Sequence, residues 1–205
     1  MRDAPISIAA VPAPWGHVHV AVGAAGIVAL ESLTPPDAFA AGIERRLHRE
    51  VRTGSTPLLD EAVAEIEEYF EGRRRSFDLP IDLSDRPAWD RAVLEAVSAI
   101  PYGAVMTYGD VARLVDRPGA ARAVGGAVGR SPIGIVVPCH RVIAAGGRLG
   151  GYGRDGYASR DAHLAVKREL LALEGVMVEA SGRLTGPRTA ATLRESGEGP
   201  REDLP

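Results

Sequence analysis

The segment GIVVPCHRVIAAGG, residues 134–147, carries the strongest indication of this chain's architecture and chemistry, because it holds Cys139, the one cysteine in 205 residues. A lone cysteine is more often a small buried hydrophobe than a nucleophile. Here Pro138 precedes it, and the following His140 and Arg141 favour water and stabilise a thiolate, whose intrinsic pKa is about 8.5. These neighbours favour a reactive thiol, with both basic side chains expected in contact with solvent.

The residues just before the cysteine predict how it is presented. The sequence IGIVV, residues 133–137, is typical of a buried strand that ends at Pro138 and Cys139. Adjacent residues of an extended strand point to opposite faces, so His140 can act as a base for Cys139 only if the chain turns there or a water intervenes. The sequence leaves both arrangements open.

Upstream of this strand, residues 107–130 have the outline of a helix-turn-helix. TYGDVARLV begins with Thr107 and has Asp110 three residues later, which predicts a capping box. DRPG is a turn by composition, and AARAVGGAVGR predicts a second short helix. Gly125 and Gly126 each cost this helix about 1 kcal/mol of propensity. Either a neighbouring helix packs closely against them, or their flat surface rests against the groove of a ligand.

The first part of the chain predicts a small sheet and a surface helix. GHVHVAVG alternates valines with other residues, and GIVALESL follows after a Gly-Ala-Ala-Gly turn, which predicts a hairpin. TPLLDEAVAEIEEYFEG predicts a helix with Thr56 as its N-cap and Pro57 in its first position, ending near Gly72. A helical pattern resumes at Trp89, after a proline-rich connection.

Together these patterns predict an α+β fold. A small N-terminal α/β domain with an antiparallel sheet is expected over residues 1–84. A mostly helical C-terminal domain with the helix-turn-helix and the cysteine is expected over residues 85–185. Residues 186–205 have little to bury, so we predict a disordered tail there.

Composition predicts a folded protein with no membrane or metal partner. Hydrophobic residues make up 45% of the chain, and no stretch approaches the roughly 18 unbroken apolar residues of a membrane helix. The N-terminus MRDAPISIAAVPAPWG lacks the pattern of a signal peptide, so we expect a cytoplasmic, reducing location. No Cys/His cluster has the spacing of metal ligands, and we expect neither a metal nor a cofactor.

Charge is unevenly distributed along the chain, although the net charge is only −3. Residues 1–102 carry 10 Lys+Arg against 16 Asp+Glu, a net −6, and residues 172–205 carry 4 against 6, a net −2. Residues 103–171 carry 10 against 5, a net +5. This basic middle block can attract phosphate, although a solvated surface with a chance asymmetry explains it equally well.

The motif PCHRV at 138–142, preceded by AARAVGGA and followed by GGYG and AVKRELLALEG, resembles the O6-alkylguanine-DNA alkyltransferase family, also called methylated-DNA:protein-cysteine methyltransferases. The resemblance covers about residues 57–176 and includes EEYFEGRRRSFDLPIDL and IPYGAVMTYGDVA. It implies a DNA repair protein that transfers an alkyl group from O6-alkylguanine in duplex DNA irreversibly to its own Cys139. Because the product is a stable thioether, each molecule would act once.

The resemblance also implies roles for individual residues. His140 would work through a water toward Glu174, and Tyr108 would donate to the leaving guanine. The guanine pocket would be formed by Val142, Tyr152, Gly153 and Ser131. The flipped nucleotide would leave the stack through the minor groove, with Arg122 filling its place. The remaining DNA contacts are assigned to Ala121, Gly125, Ala127, Thr107 and Arg141. A monomer acting on double-stranded DNA is expected.

Three features depart from the family pattern. Ser131 replaces an asparagine that braces the turn before the active-site segment, and a hydroxyl offers one donor where an amide offers two. The segment GYGRDGYASRDAH, residues 151–163, is several residues longer than usual and borders the alkyl group. Trp89 and Asp90 replace the usual phenylalanine and glutamine.

Two other functions remain open from the sequence. The first is a DNA lesion-binding or sensor protein that uses the helix-turn-helix without chemistry, which the serine and the long loop make conceivable. The second is an alkyl acceptor for a bulky adduct or a small alkylating metabolite.

Overall fold

The computed structural model describes residues 4–153 and 156–185, so the predicted tail at 186–205 lies outside the described residues. The strands are β1 (Ile6–Ala13), β2 (Gly16–Gly23), β3 (Gly26–Ser32), β4 (Val51–Thr53), β5 (Met106–Thr107) and β6 (Val142–Ile143). The helices are α1 (Pro36–Leu47), α2 (Pro57–Phe70), α3 (Ala88–Ser98), α4 (Tyr108–Leu114), α5 (Ala121–Gly129) and α6 (Arg160–Leu173). Short 3-10 turns occupy Cys139–Arg141 and Ala145–Gly147. Within the described ranges, none of the helices has the length and apolar character needed to cross a membrane.

The N-terminal strands form a four-stranded sheet in the order β3-β2-β1-β4. The predicted hairpin is confirmed as the antiparallel pair β2 and β3, whose residues Val18 and Val20 are fully buried. Strands β1 and β4 pair in parallel. The patterns in the sequence predict neither of these two strands, nor helix α1. Helix α1 covers one face of the sheet with Phe39 and Ile43, and helix α2 covers the other. The N-terminal part is thus a sheet covered on both faces.

Helix α2 packs against strands β1 and β2, on the face of the sheet opposite α1. It begins as predicted, because the Thr56 side chain accepts a hydrogen bond from the Leu59 amide and Pro57 occupies the first helical position. Its buried side chains Ile66 and Tyr69 enter the main hydrophobic core, which continues without a break into the C-terminal helices. The main core is therefore shared between the N-terminal and C-terminal parts.

The C-terminal part contains the predicted helix-turn-helix, formed by α4 and α5 and supported by α3. Its capping box is confirmed: Thr107 Oγ1 accepts from the Asp110 amide at 3.1 Å, and Asp110 Oδ2 accepts from the Thr107 amide at 2.8 Å. Val111 and Val124 are fully buried where the two helices meet. The fold class inferred from the sequence, a small sheet domain followed by a mostly helical domain, is confirmed.

Strand β3 holds the segment that leads to the cysteine. The Leu30 amide donates to Pro132 O and the Gly134 amide donates to Leu30 O, both at 2.8 Å. The predicted strand over residues 133–137 is wrong, because the pairing stops after this single bridge. Ile135 adopts a φ of 66°, and the Val136 amide bonds back to Gly134 O at 2.7 Å. The segment is buried as expected, but it turns instead of extending.

We expect Thr107→Ala to lower the free energy of unfolding by about 1 kcal/mol, because the first turn of α4 loses its capping oxygen. Urea denaturation followed by circular dichroism measures this change. Thr107→Ser, which keeps the hydroxyl, is the matched control and should stay close to the wild type. Equal stability of the alanine variant and the wild type would contradict this interpretation of the capping box.

Candidate active site

The turn that presents Cys139 places its sulfur at the wall of a cavity. The Cys139 amide donates to Val137 O at 2.7 Å, and a 3-10 turn starts at the cysteine. Only 5% of Cys139 is exposed, yet it lines a cavity of about 550 Å³. Ser131, Tyr152 and Gly153 line the same cavity, as predicted pocket residues. The structure therefore brings the thiol and three of the four predicted substrate contacts together.

The thiol is held in its neutral form. Burial raises the pKa of Cys139 to about 11, and the Ser131 hydroxyl and the Lys167 amine oppose this shift without cancelling it. His140 and Arg141 do not face solvent beside the sulfur, contrary to the expectation from their polarity, because both side chains are buried in hydrogen bonds elsewhere. A neutral thiol at pH 7 needs a base before it can act as a nucleophile.

A buried carboxylate organises the residues behind the cysteine. Glu174, which follows the C-terminus of α6, accepts from Arg141 Nη2 at 2.7 Å and Arg141 Nε at 2.9 Å, and from Tyr69 Oη at 2.8 Å. His140 Nε2 lies 2.8 Å from Glu174 Oε1. The expected water between His140 and Glu174 is thus wrong, since the two side chains contact directly.

Arg141 is not free to contact DNA, which corrects its assignment to the DNA surface. Besides its bonds to Glu174, its Nη1 donates to Ile100 O at 2.6 Å. Its guanidinium also lies 5.9 Å from the centre of the Tyr102 ring. With every nitrogen committed inside the protein, the side chain supports the active-site turn.

The electrostatics of this cluster fix which nitrogen of His140 carries the proton. Burial opposes ionisation of Glu174, but His140 and Arg141 outweigh it and hold the pKa of the carboxyl well below its usual range. Burial lowers the pKa of His140, although Glu174 opposes the shift. A neutral imidazole beside a carboxylate must donate from Nε2, since a carboxylate only accepts. His140 Nδ1, which is buried without a protein partner, is therefore left as an unprotonated base.

Tyr108 lies near the thiol at the start of α4. Burial raises the pKa of its phenol, while a hydrogen bond with the Gly151 backbone opposes the shift. A Cβ at Gly150 would make a tight contact of 3.2 Å with the Tyr108 ring, and Gly150 has a φ of +74°, so a side chain there would crowd the ring and strain the backbone. The raised pKa keeps the phenol protonated at neutral pH, so it can donate a hydrogen bond.

Lys167 and Tyr69 belong to the site but were missed by sequence reasoning. Lys167 Nζ donates to the carbonyls of Val142, Leu149 and Gly151 at 2.6, 2.7 and 2.9 Å. Burial lowers the pKa of this amine to about 7, and Cys139 opposes the shift. Three carbonyls match the three donors of an ammonium. The signal was a lysine on the apolar face of α6, between Val166 and Leu170.

Val142 contributes through its backbone carbonyl, and Ser131 contributes through its hydroxyl. Val142 begins β6 and is buried, with its carbonyl oriented by the Lys167 amine. Ser131 Oγ donates to Ile133 O at 3.2 Å and accepts from the Ile133 amide at 3.4 Å, so it braces the turn before the cysteine. The serine hydroxyl thus both donates and accepts within the turn that the family's asparagine is expected to brace.

Helix α5 carries four of the residues predicted to contact DNA, which are Ala121, Arg122, Gly125 and Ala127. Arg122 is exposed and Ala121 is half-buried, so both remain available. Ala127 is fully buried against the core, which corrects its assignment to the DNA surface. The Thr107 hydroxyl is engaged with Asp110, and its DNA contact stays a prediction.

The glycines of α5 are not explained by tight packing against another helix. A Cβ at Gly125 would meet only the Tyr108 ring, at an ordinary 3.8 Å, and one at Gly126 would meet only the flexible end of Arg130. A Cβ at Gly129 would meet nothing within 4 Å. This leaves the alternative in which a flat helix surface fits a ligand groove.

Trp89 and Asp90, which depart from the family pattern, form hydrogen bonds to helix α5 and its C-cap. Asp90 is only 2% exposed, and its carboxylate accepts from Arg130 Nε at 2.9 Å and Arg130 Nη2 at 2.7 Å. The Trp89 indole donates to Ala123 O at 3.4 Å. These three hydrogen bonds tie α3 to α5, so Trp89 and Asp90 hold the second helix of the helix-turn-helix against α3.

We expect Glu174→Gln to make the free energy of unfolding less dependent on pH. The depressed pKa of Glu174 contributes stability that is present above its ordinary pKa and is lost as the pH falls below about 5. Because the loss begins near the ordinary pKa and continues as the pH falls further, urea denaturation between about pH 3 and pH 7 should show a steep loss below about pH 4.5 for the wild type and a shallow one for the variant. Glu67→Gln, on an exposed face of α2, is the control, and a slope equal to the wild-type slope in Glu174→Gln would contradict the assignment.

Comparison with known proteins agrees with this geometry. Residues 9–83 match the family model described as 6-O-methylguanine DNA methyltransferase, ribonuclease-like domain, and residues 88–176 match 6-O-methylguanine DNA methyltransferase, DNA binding domain. The methylated-DNA–protein-cysteine methyltransferase of Mycolicibacterium paratuberculosis is 47% identical over 113 residues, which cover 55% of this chain and 63% of that protein. The chain thus spans less than two thirds of the length of that curated relative.

Solved structures extend the similarity to nearly the full length of their chains. The crystal structure of Mycobacterium tuberculosis O6-methylguanine methyltransferase is 33% identical, with a TM-score of 0.68, and covers 85% of this chain and 96% of its own. The Mycobacterium tuberculosis OGT in complex with DNA is 34% identical, with a TM-score of 0.67, and covers 82% of this chain and 92% of its own. On this fold, this site and these matches, the chain belongs to the 6-O-methylguanine DNA methyltransferase family.

Proposed function

We propose that this protein repairs O6-alkylguanine in duplex DNA by moving the alkyl group irreversibly onto its own Cys139. The observation that carries the proposal is a buried thiol at the wall of a 550 Å³ cavity, backed by the His140 base and the Glu174 carboxylate. A lesion-binding protein without chemistry needs neither a base nor a carboxylate behind its cysteine. The site therefore favours alkyl transfer over a sensor.

The reaction is a displacement at the alkyl carbon. His140 Nδ1 accepts the thiol proton, directly or through a water, and the sulfur then attacks the carbon. The S–C bond forms as the C–O6 bond breaks, and the electron pair leaves with the guanine. Tyr108, whose raised pKa keeps it protonated, donates a hydrogen bond to the departing ring. His140 then releases the proton to solvent, and the departing guanine anion takes up one proton from solvent. The net exchange thus moves one proton from sulfur to guanine, and no cofactor is needed.

The cavity would receive the guanine after it leaves the stack. The cost of unstacking is a few kcal/mol, which contacts along the duplex must offset. We propose that α5 enters the minor groove with its glycine-containing surface and that Arg122 fills the position vacated by the base. The Val142 carbonyl, Tyr152 and the Gly153 amide would hold the guanine. Phosphate contacts from the basic middle block would add affinity without sequence preference.

The organisation of the chain fits this role. We propose that residues 1–84 form a supporting domain, that residues 85–185 carry the DNA-binding and catalytic groups, and that the protein acts as a monomer in the cytoplasm. The hydrogen bonds from Leu30 to Pro132 and from Gly134 to Leu30 support a role for the first domain in holding the active-site turn. Both domains would then be needed for full activity.

Incubation with a duplex containing O6-methylguanine tests the function directly. Mass spectrometry of the wild type should show a gain of one methyl group, located on the peptide that contains Cys139. Cys139→Ser should show none, because a serine hydroxyl is far less acidic and a far weaker nucleophile than a thiol. A wild-type protein that binds the lesion but gains no mass would contradict the proposal and favour the sensor.

The role of Arg122 is separable from the chemistry. Arg122→Ala should slow transfer from a duplex by at least tenfold, because the extruded state loses the side chain that fills the gap. Transfer from free O6-benzylguanine, which needs no extrusion, should be unchanged. Arg52→Ala, which removes an exposed arginine from β4 in the N-terminal sheet, is the control and should leave both rates unchanged. Equal losses on the duplex and the free base would show that Arg122 acts on folding or chemistry instead.

A further inference from the structure

Arg130, the C-cap of α5, pairs with a carboxylate that is almost completely buried, yet the arginine itself stays accessible. Asp90 is only 2% exposed, whereas 52% of the Arg130 side chain is exposed. The ion pair uses Nε and Nη2 of the guanidinium, and among the described residues none accepts a hydrogen bond from Nη1. An arginine has five N–H donors in a fixed plane. Asp90 therefore holds the guanidinium in one orientation and leaves donors for an acceptor outside the protein.

Arg130 lies on the same exposed surface of α5 as Arg122. Residues 122, 126 and 130 are four positions apart, and side chains at this spacing are neighbours on a helix surface. The buried residues of α5, Val124 and Ala127, lie on another face. A Cβ at Gly126 would lie 3.1 Å from Arg130 Nη1, so the guanidinium extends back over this glycine. Arg130 thus belongs to the surface of α5 that the proposed function places against DNA.

The ion pair does not cancel the positive charge of this region. The hydrogen bond from Arg130 lowers the pKa of Asp90, and the charge of Arg86 adds to this effect. Arg86 and Arg46 in turn share the carboxylate of Asp85. Three arginines against two aspartates leave a net charge of +1 in this cluster. A positive cluster around an exposed guanidinium favours contact with an anion.

We propose that Arg130, in the orientation held by Asp90, donates to a phosphate of the DNA backbone at the edge of the groove that receives α5. This inference rests on the proposed docking of α5 and adds a backbone contact to it. With a rise of 1.5 Å per residue, the Cα atoms of Arg122 and Arg130 are about 12 Å apart. The minor groove is only about 6 Å wide. With Arg122 at the level of the bases, Arg130 therefore reaches the strand that borders the groove.

The contact would be a particular feature of this chain, since Asp90 stands where the family usually has a glutamine. An amide in that position could accept one hydrogen bond from an arginine, but it could not form a charge-assisted pair with two. The carboxylate fixes the plane of the guanidinium, so less conformational entropy is lost when a phosphate binds.

The salt dependence of binding to an unmodified duplex tests this contact. Each phosphate contact contributes about 0.9 to the slope of log K against log salt concentration. Arg130→Ala should reduce the slope by this amount, so that the affinity advantage of the wild type shrinks about 3.5-fold between roughly 50 and 200 mM salt. Fluorescence anisotropy of a labelled duplex measures both affinities. Arg52→Ala, on the exposed part of β4, is the control and should keep the wild-type slope.

The slope separates a phosphate contact from a purely structural role. If Arg130 only held α5 against α3, its loss would lower the fraction of binding-competent molecules and weaken binding equally at every salt concentration. An unchanged slope in Arg130→Ala therefore overturns the inference, even where the affinity falls. Arg130→Gln can still donate to Asp90 but carries no charge, and it should show the same reduced slope. This variant decides the question if Arg130→Ala does not accumulate as folded protein.

Failure of this inference is distinct from failure of the proposed function. If the wild type transfers a methyl group from the duplex to Cys139 but Arg130→Ala keeps the wild-type slope, only the role of Arg130 is wrong. If the slope falls as expected but no alkyl group reaches Cys139, the phosphate contact stands and the proposed chemistry is wrong. A wild type that does not bind the duplex overturns both.

Discussion

The buried carboxylate of Glu174 is the group on which the rest of the site depends. An unpaired charge in a protein interior is very costly, so its position is fixed by the donors that surround it. Arg141 supplies a bidentate pair, Tyr69 a hydroxyl and His140 a ring nitrogen. Tyr69 lies on α2, Glu174 at the end of α6, and the other two in the 3-10 turn of Cys139. Removing the carboxylate would break the hydrogen bonds that join α2, the end of α6 and the 3-10 turn.

This arrangement separates two tasks within the sequence PCHRV. Arg141 holds the turn in place, and His140, oriented by the same carboxylate, is left with one free nitrogen. The low pKa of Glu174 and the lowered pKa of His140 keep the pair as carboxylate and neutral imidazole. The buried thiol stays neutral until a base removes its proton. Because a neutral thiol is a poor nucleophile, it stays unreactive while the cavity holds no substrate. Lys167 orients the carbonyls around the same cavity.

Local patterns in the sequence predicted the hairpin, the helix-turn-helix and the Thr107 capping box, because each depends on residues a few positions apart. The segment before Cys139 was predicted as a strand from its apolar residues, but its partner β3 offers only one bridge, at Leu30. The burial of Arg141 could not be predicted, since its acceptors lie 33 and 41 residues away in the sequence. Lys167 had a signal in the apolar face of α6, but its acceptors, 16 to 25 residues away, could not be identified from it. The resemblance supplied the predicted site residues. The hydrogen-bond acceptors of Arg141 and Lys167 became known only from the folded structure.

The protonation of His140 is the most direct test of this account. Nitrogen-15 NMR of the free protein at neutral pH, with the signals assigned by comparison with His140→Gln, distinguishes the two ring nitrogens. The account predicts a proton on Nε2, which bonds Glu174, and a bare Nδ1. A proton on Nδ1, or a doubly protonated ring, would contradict the claim that Glu174 prepares His140 as the base for Cys139.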